Sequence, residues 1–466
     1  MTVPAHIFRE YDIRGIADRD LSDGLAEGIG RGLGEMLRVE GKAPRLAVGR
    51  DCRLSSDRLH AALLRGLEQA GVHVIDIGVG PTPMLYFAVH HLHTDGGIMI
   101  TGSHNPGDEN GFKMMRGKAS FYGADIQKLR ERIVAADYAA APADASPRVE
   151  LFDVQDAYVE AMKERFDFRG TNIVFTIDAG NGSGGPLGLR AMEAVGLKPD
   201  AIFCKMDGHF PNHHPDPTVE KNLAQLVARV KETKARVGLA YDGDADRIGA
   251  VDAEGNVIWG DKLLILFARG LLKDHPGAMV IGEVKCSQTL YDDIAKHGGK
   301  PLVWKTGHSL IKTKMKETGA LLAGEMSGHI FFADRYFGFD DAIYGGLRLL
   351  EILAKDPRSL AEMLSDVPKT FSTPELRVDC PDAIKFAVVA AVTRHYKEKG
   401  NAVLDIDGAR ISFPTTGTAP KWGLVRASNT GPILVMRFEA GSEAELAEIR
   451  AEVEAVVTEE RARAAR

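Results

Sequence analysis

The chain has 466 residues, 44% hydrophobic and 26% charged, with 58 basic and 65 acidic side chains. That length predicts about three or four domains of roughly 100–200 residues each, in a composition ordinary for a soluble globular protein. The net charge of −7 excludes a general attraction to nucleic acid or to an anionic membrane, so an anionic ligand needs a local basic pocket.

The start, Met1 to His6, lacks the basic-then-apolar pattern of a secretory signal. Residues 45–49 read as a buried strand and 55–70 as an amphipathic helix opened by serine caps. Residues 74–77 and 98–100 continue the strands. The same opening recurs at 172–177, followed by a glycine loop and a helix, and at 278–282, followed by a helix over 290–296. Openings roughly 105–130 residues apart predict three similar α/β/α modules. The most apolar stretch, 263–272, is broken by Arg269 and is too short to span a bilayer. The tail differs. Strands are expected at 374–378, 402–404, 410–413 and 433–438, with a charged helix from Glu443, which together predict a smaller α+β domain. Boundaries near 152, 255 and 367 divide the chain into 1–152, 153–255, 256–367 and 368–466. Cys52, Cys204, Cys286 and Cys380 are widely spaced, with no CxxC pair. They predict neither a zinc site nor a disulfide framework and suit a reducing cytoplasm.

Four loops carry the chemistry. Thr101-Gly102-Ser103-His104-Asn105-Pro106 follows a strand and sets a hydroxyl beside an imidazole at a sheet edge. Its plain alternative is a turn closed by Ser103 and Asn105. Lys113, ten residues on, is a candidate proton carrier or phosphate contact. Asp242-Gly243-Asp244-Ala245-Asp246-Arg247 follows the strand expected at 237–240. Its three alternate carboxylates repel one another when bare and suit a divalent cation such as Mg²⁺. An EF-hand is excluded, because Arg247 stands where that loop needs glycine and Ala253 where it needs glutamate. A solvated acidic turn is the alternative. Gly324-Glu325-Met326-Ser327-Gly328-His329 offers acceptors for sugar hydroxyls and a histidine that titrates near neutrality. Arg426-Ala427-Ser428-Asn429-Thr430-Gly431-Pro432 is a compact oxyanion cradle, or else a polar hairpin turn. Arg9, Arg14, Arg50, Lys285 and His308 are weaker basic candidates. Gly180-Asn181-Gly182-Ser183-Gly184-Gly185 fits the dinucleotide-binding spacing, with Asp200 and Asp207 downstream. It is read as a strand-to-helix turn, since a nucleotide site leaves the other four loops unexplained. No Walker-type phosphate loop is present, which argues against direct ATP use.

In this order the loops resemble the α-D-phosphohexomutase family, in its bacterial phosphomannomutase/phosphoglucomutase branch. Phe8-Arg9-Glu10-Tyr11-Asp12-Ile13-Arg14-Gly15, Gly49-Arg50-Asp51, Phe210-Pro211-Asn212-His213-His214-Pro215-Asp216-Pro217 and Lys305-Thr306-Gly307-His308 extend the resemblance nearly end to end. It implies three α/β/α domains and a C-terminal α+β domain of TATA-binding-protein type around a central cleft. It implies that Ser103 carries phosphate and joins Asp242, Asp244 and Asp246 on one Mg²⁺. Arg14, His104, Lys113, Arg247 and His329 are then catalytic-cleft residues. Tyr11, Lys285, His308, Glu325, Ser327, His329, Arg426, Ser428, Asn429 and Thr430 are then substrate contacts. The implied reaction interconverts hexose 1-phosphate and hexose 6-phosphate through a 1,6-bisphosphate, with small sugar phosphates as the only expected partners. Met326 and Gly102 fit the mannose/glucose branch better than the phosphoglucosamine branch, which usually has Gln and Ala there. Competing expectations are a phosphoglucosamine mutase of the same family, a metal-dependent sugar-phosphate phosphatase, a dehydrogenase using the glycine loop, and a sugar-phosphate sensor without turnover.

Overall fold

Four sheets follow one another along the chain in the computed structural model, which describes residues 3–415, 417–429 and 431–465. The first has, in spatial order, strands Ile13–Ile16, Glu109–Arg116, Gly96–Ile100, Arg45–Arg50, His73–Val79 and Arg148–Leu151. The last four run parallel, while Glu109–Arg116 turns back antiparallel against Gly96–Ile100. The turn between those two strands holds Ser103. Two helices, Asp23–Met36 and Ser56–Gln69, cover one face of the sheet. The first is rich in glycine, a poor helix former. Packing explains one of these residues and a partner on the facing helix: a Cβ on Gly30 would lie 2.4 Å from the Leu63 carbonyl oxygen, and one on Gly66 of the second helix would lie 1.9 Å from that of Glu27. Ser55 precedes the second helix, but its side chain makes no capping hydrogen bond, since its backbone is already helical.

The second sheet is ordered Val257–Ile258, Ile248–Asp252, Val237–Tyr241, Phe175–Asp178, Asp200–Ile202. The strand expected at 172–177 begins only at Phe175. The acidic loop joins Val237–Tyr241 to its antiparallel neighbour Ile248–Asp252. The third sheet is ordered Lys300–Trp304, Met279–Glu283, Leu322–Gly324, Ile330–Phe332, and the sugar-loop sequence is its last hairpin. A single apolar core runs through the faces of all three sheets. It includes Met84, Phe87 and Tyr158, then Tyr241 and Ile248, then Phe267, Tyr344 and Leu350.

The fourth sheet is wholly antiparallel and is built on the central strand Ile433–Ala440, with Leu376–Asp379 and Trp422–Ala427 beside it. Helices Asp382–Glu398 and Glu443–Ala464 bury Val388, Val392, Ile449 and Val453 against it in a core of their own. Among the described residues no helix is long and apolar enough to cross a membrane.

Candidate active site

Ser103 sits at the carboxyl edge of the first sheet with φ +50°, a left-handed conformation that costs a serine about 1–2 kcal/mol. Its surroundings hold it there. Arg53, almost wholly buried, donates to the carbonyl oxygens of Ser103 (2.7 Å), Asn105 (2.6 Å), Pro106 (2.5 Å) and Glu109 (2.8 Å). Asp51 accepts from the Gly102 amide at 3.0 Å, and Arg14 donates to the Gly102 carbonyl oxygen and to Asn105 Oδ1. Ser103 itself is 2% exposed, and its hydroxyl donates to Asp242 Oδ2 at 2.7 Å. His104 Nδ1 lies 3.1 Å from Ser103 Oγ. With the hydroxyl proton given to Asp242, Oγ is left to accept from an Nδ1–H. Burial, then the charges of Arg247, Arg14 and Lys113, hold the His104 imidazole well below its usual pKa, so it is neutral at pH 7.

The three aspartates are each fully buried, and each offers an oxygen within 4.8 Å of the others. The loop packs directly on the serine turn: a Cβ on Gly243 would lie 2.2 Å from the Ser103 carbonyl oxygen. Asp242 Oδ1 accepts from the amides of Asp246 and Arg247, both at 3.1 Å. Asp244 Oδ2 accepts from Thr82, Thr101 and Lys113, and Lys113 also donates to Asp246 Oδ2. Asp244 Oδ1 and Asp246 Oδ1 are buried without a hydrogen-bond partner. Burial and the two neighbouring carboxylates push the Asp242 carboxyl well above its usual range. Two orphaned anionic oxygens beside a third carboxylate and the Ser103 hydroxyl make a hard-oxygen donor set that fits a divalent cation.

A relay of polar side chains leads from this cage to the third sheet. Arg247 Nε donates to His329 Nε2 at 3.0 Å, and His329 Nδ1 lies 2.9 Å from Asp340 Oδ2. Asp340, buried at 0% exposure, also accepts from Lys312 at 3.1 Å. An arginine can only donate, so Nε2 is the acceptor and Nδ1 carries the hydrogen. His308 stacks on His329 with ring centroids 5.4 Å apart, and Tyr11 tilts against His308 at 5.8 Å.

The sugar-loop and cradle residues lie beyond that stack. Glu325 Oε1 accepts from the Gly307 amide at 2.5 Å, and Ser327 Oγ donates to Glu325 Oε2 at 3.3 Å. Lys285 pairs with Glu375 of the fourth sheet at 3.2 Å. Arg426 Nε donates to Asp407 Oδ2 at 3.1 Å, and the same oxygen accepts from the Thr306 amide at 3.0 Å. Tyr11 OH donates to the Thr306 carbonyl oxygen and accepts from Asn429 Nδ2, joining the first, third and fourth sheets. Lys385 donates to the carbonyl oxygens of Ser428 and Gly431, which fixes the cradle turn.

The profile of phosphoglucomutase/phosphomannomutase alpha/beta/alpha domain I matches residues 5–140, that of domain II matches 156–255, and that of domain III matches 259–371. The C-terminal domain of the same family matches residues 375–456. The chain belongs to the phosphoglucomutase/phosphomannomutase family. A phosphomannomutase/phosphoglucomutase of Pseudomonas aeruginosa is 45% identical over 449 residues, covering 96% of this chain and 95% of that protein. A phosphoglucomutase of Neisseria gonorrhoeae is 43% identical over 458 residues, covering 98% and 97%. A crystal structure of a phosphoglucomutase/phosphomannomutase family protein from Burkholderia thailandensis superposes with TM-score 0.90. It is 42% identical and covers 98% of both chains.

In this family member one cluster gathers Arg14, Ser103, His104, Lys113, Asp242, Asp244, Asp246, Arg247 and His329. A second gathers Tyr11, Lys285, His308, Glu325, Ser327, Arg426, Ser428 and Asn429, while Thr430 lies outside the described residues. Arg50 does not join either. It pairs with Asp57 and lies 3.7 Å from Asp76, as a strand-end structural arginine. The arginine that meets the serine turn is Arg53, three residues on. Sequence reasoning also missed Thr82, Asp340, Lys312, Asp407 and Lys385. The dinucleotide-like glycine turn has a structural use. A Cβ on Gly182 would lie 2.6 Å from the Gly243 carbonyl oxygen, and the Ser183 amide donates to that oxygen at 2.9 Å. Asp200 is taken by Thr176 and Arg229, and Asp207 by His209. The turn thus buttresses the acidic loop from behind.

Proposed function

We propose that this family member is a phosphohexomutase that interconverts hexose 1-phosphates and hexose 6-phosphates of mannose and glucose. The observation that carries the reading is the Ser103 hydroxyl, 2.7 Å from a buried carboxylate cage that has two unpartnered oxygens. A nucleophilic hydroxyl at a cation site is the requirement of a covalent phosphoryl carrier.

Asp242, Asp244, Asp246 and a phospho-Ser103 oxygen would hold the cation, proposed as Mg²⁺ on the hardness of the donors. When bound, it would neutralise charge on the phosphoryl group in transit. Phospho-Ser103 gives its phosphoryl group to the free sugar hydroxyl. The P–Oγ bond breaks as the new P–O bond forms, and the hydroxyl proton passes to a base in the cleft. The resulting 1,6-bisphosphate turns end for end, and its other phosphate returns to Ser103. His104 becomes the base beside Oγ in the return step once its hydrogen sits on Nε2 and Nδ1 is bare, and His329 serves the sugar hydroxyl once Arg247 leaves Nε2 to grip phosphate. Glu325 and Ser327 hold sugar hydroxyls. Arg426, Ser428, Asn429 and Thr430 hold the phosphate that is not transferring, with Lys285, His308 and Tyr11 lining the path. The unpaired cysteines support a cytoplasmic setting.

Phosphorus NMR of the purified protein with Mg²⁺, a trace of glucose 1,6-bisphosphate and equal mannose and glucose 1-phosphates tests the proposal. Growth of both 6-phosphate signals without inorganic phosphate is expected. Release of inorganic phosphate alone would make the protein a phosphatase.

A further inference from the structure

Lys113 lies in the interior of the strand Glu109–Arg116, almost wholly buried, and its ammonium sits between two of the three cage aspartates. It is 2.7 Å from Asp244 Oδ2 and also contacts Asp246 Oδ2. The opposite oxygens, Asp244 Oδ1 and Asp246 Oδ1, are the two that have no partner. Each of these carboxylates therefore has two sides. One is neutralised by the chain's own cation, and the other accepts no hydrogen bond, His329 Nδ1 lying 3.6 Å from Asp246 Oδ1. We propose that Lys113 is the built-in counter-ion of the cage. It keeps the three carboxylates compatible with folding before a metal ion arrives, and it lowers the affinity with which that ion is then held.

The physical argument is one of charge. Three buried carboxylates within 4.8 Å of one another repel strongly in a low dielectric. The hydroxyls of Thr82, Thr101 and Ser103 and the amides of Asp246 and Arg247 supply hydrogen bonds, but no net charge. Arg247 carries a charge, but its Nε is given to His329. Lys113 is the cation bonded directly to two of the three. An ammonium held on one side of these carboxylates also repels a metal ion approaching the other side. In this state two of its donors are given to carboxylates, and the ammonium has no lone pair with which to take a proton.

This inference rests on reading the aspartates as a divalent-cation cage, so the test separates the two. Mn²⁺ binding to dephosphorylated wild-type protein, followed by electron paramagnetic resonance, tests the cage alone. The role of Lys113 is tested by thermal unfolding in EDTA of wild type, K113M, K113R, D246N and the double variant K113M/D246N, which restores the wild-type charge count. K113M is expected to melt several degrees below wild type in EDTA, to recover most of that loss in saturating Mn²⁺, and to bind Mn²⁺ roughly tenfold or more tightly. K113R is expected to keep wild-type affinity. K113M/D246N is expected to melt higher in EDTA than K113M, even where K113M alone fails to fold. A K113M protein as stable as wild type in EDTA overturns the proposal. So does an unchanged or weaker Mn²⁺ affinity in K113M, or a double variant no more stable than K113M.

Discussion

Ser103 is held by groups that never reach a substrate. Arg53 satisfies four carbonyl oxygens of the turn that carries it, and each such bond from a charged donor is worth about 1.5–3 kcal/mol. Replacing Arg53 with Met removes one guanidinium from all four carbonyls, the buried one of Ser103 among them, and frees Ser103 to leave its left-handed conformation. R53M is expected to lower turnover by roughly 100-fold or more, with a smaller change in KM, because the substrate-gripping residues lie elsewhere. Steady-state kinetics with a hexose 1-phosphate checks this, and an equal change in both constants would argue against it. Ser103→Ala should keep the fold yet take up no phosphoryl group from a hexose 1,6-bisphosphate, as read by intact-protein mass. A phosphorylated S103A protein would place the carrier at another residue. Ser103 and the three aspartates were legible because each stands in a short run of a chemistry-bearing type. Arg53 and Asp340 were not, since a single arginine or aspartate gives no local sign of which distant loop it will hold.

The acidic loop works as part of a stack of turns. The glycine turn at 180–185 supports Gly243, and Gly243 supports the serine turn, each at a distance that leaves no room for a side chain. A Gly243→Ala change sets a methyl group 2.2 Å from the Ser103 carbonyl oxygen. Overpacking of this kind costs about 1–3 kcal/mol, so G243A should lower the denaturant midpoint and weaken Mn²⁺ binding together. A loss of stability with metal affinity intact would mean that the two loops are not mechanically joined. The strand-then-helix rhythm was readable because buried parallel strands are short apolar runs. The strand Glu109–Arg116 was not read, because Asn110 and Lys113 interrupt its apolar pattern. Both are buried, Asn110 on the hydroxyls of Ser55 and Ser56 and Lys113 on the acidic loop. The helix Asp23–Met36 was hidden for a related reason. Its glycines lower its intrinsic propensity, and only the neighbouring helix shows why Gly30 is there.

Across the whole molecule, charged contacts tie the fourth sheet to the rest. Lys285 meets Glu375, Glu439 accepts from Ser287, and Arg410 reaches the carbonyl oxygens of Val284 and Cys286. The charge of Lys285 is the main reason the Glu375 carboxyl is lowered to about 2 from its ordinary 4.5. A carboxyl depressed in the folded state stabilises fully above its unfolded pKa and loses that effect as pH falls through the folded value. The stability difference between wild type and Glu375→Gln should therefore be constant above pH 4.5 and shrink steadily toward pH 2. Chemical denaturation of both proteins at several pH values reads this directly. A difference independent of pH would remove the ion pair from the interface. The two-part character of the chain was visible in the sequence as a change of rhythm near residue 367. The contacts across the parts were not visible, because they join residues 90 or more positions apart.

The apolar core that passes through the first three sheets stops before the fourth, which has its own. Among the described residues, only Val284, Trp422 and Leu424, with Val303 and Ile406 beside them, form an apolar patch across that border. The walls that carry the serine turn, the acidic loop and the sugar-loop hairpin therefore share one interior and resist moving past one another. The cradle built on Arg426 sits on a separate block, joined mainly by polar bonds that water can replace. The bisphosphate of the proposed cycle, turning over inside the cleft, would need space to appear and then vanish. A swing of the fourth block about that thin border would supply the space while the shared core kept the other three walls in register.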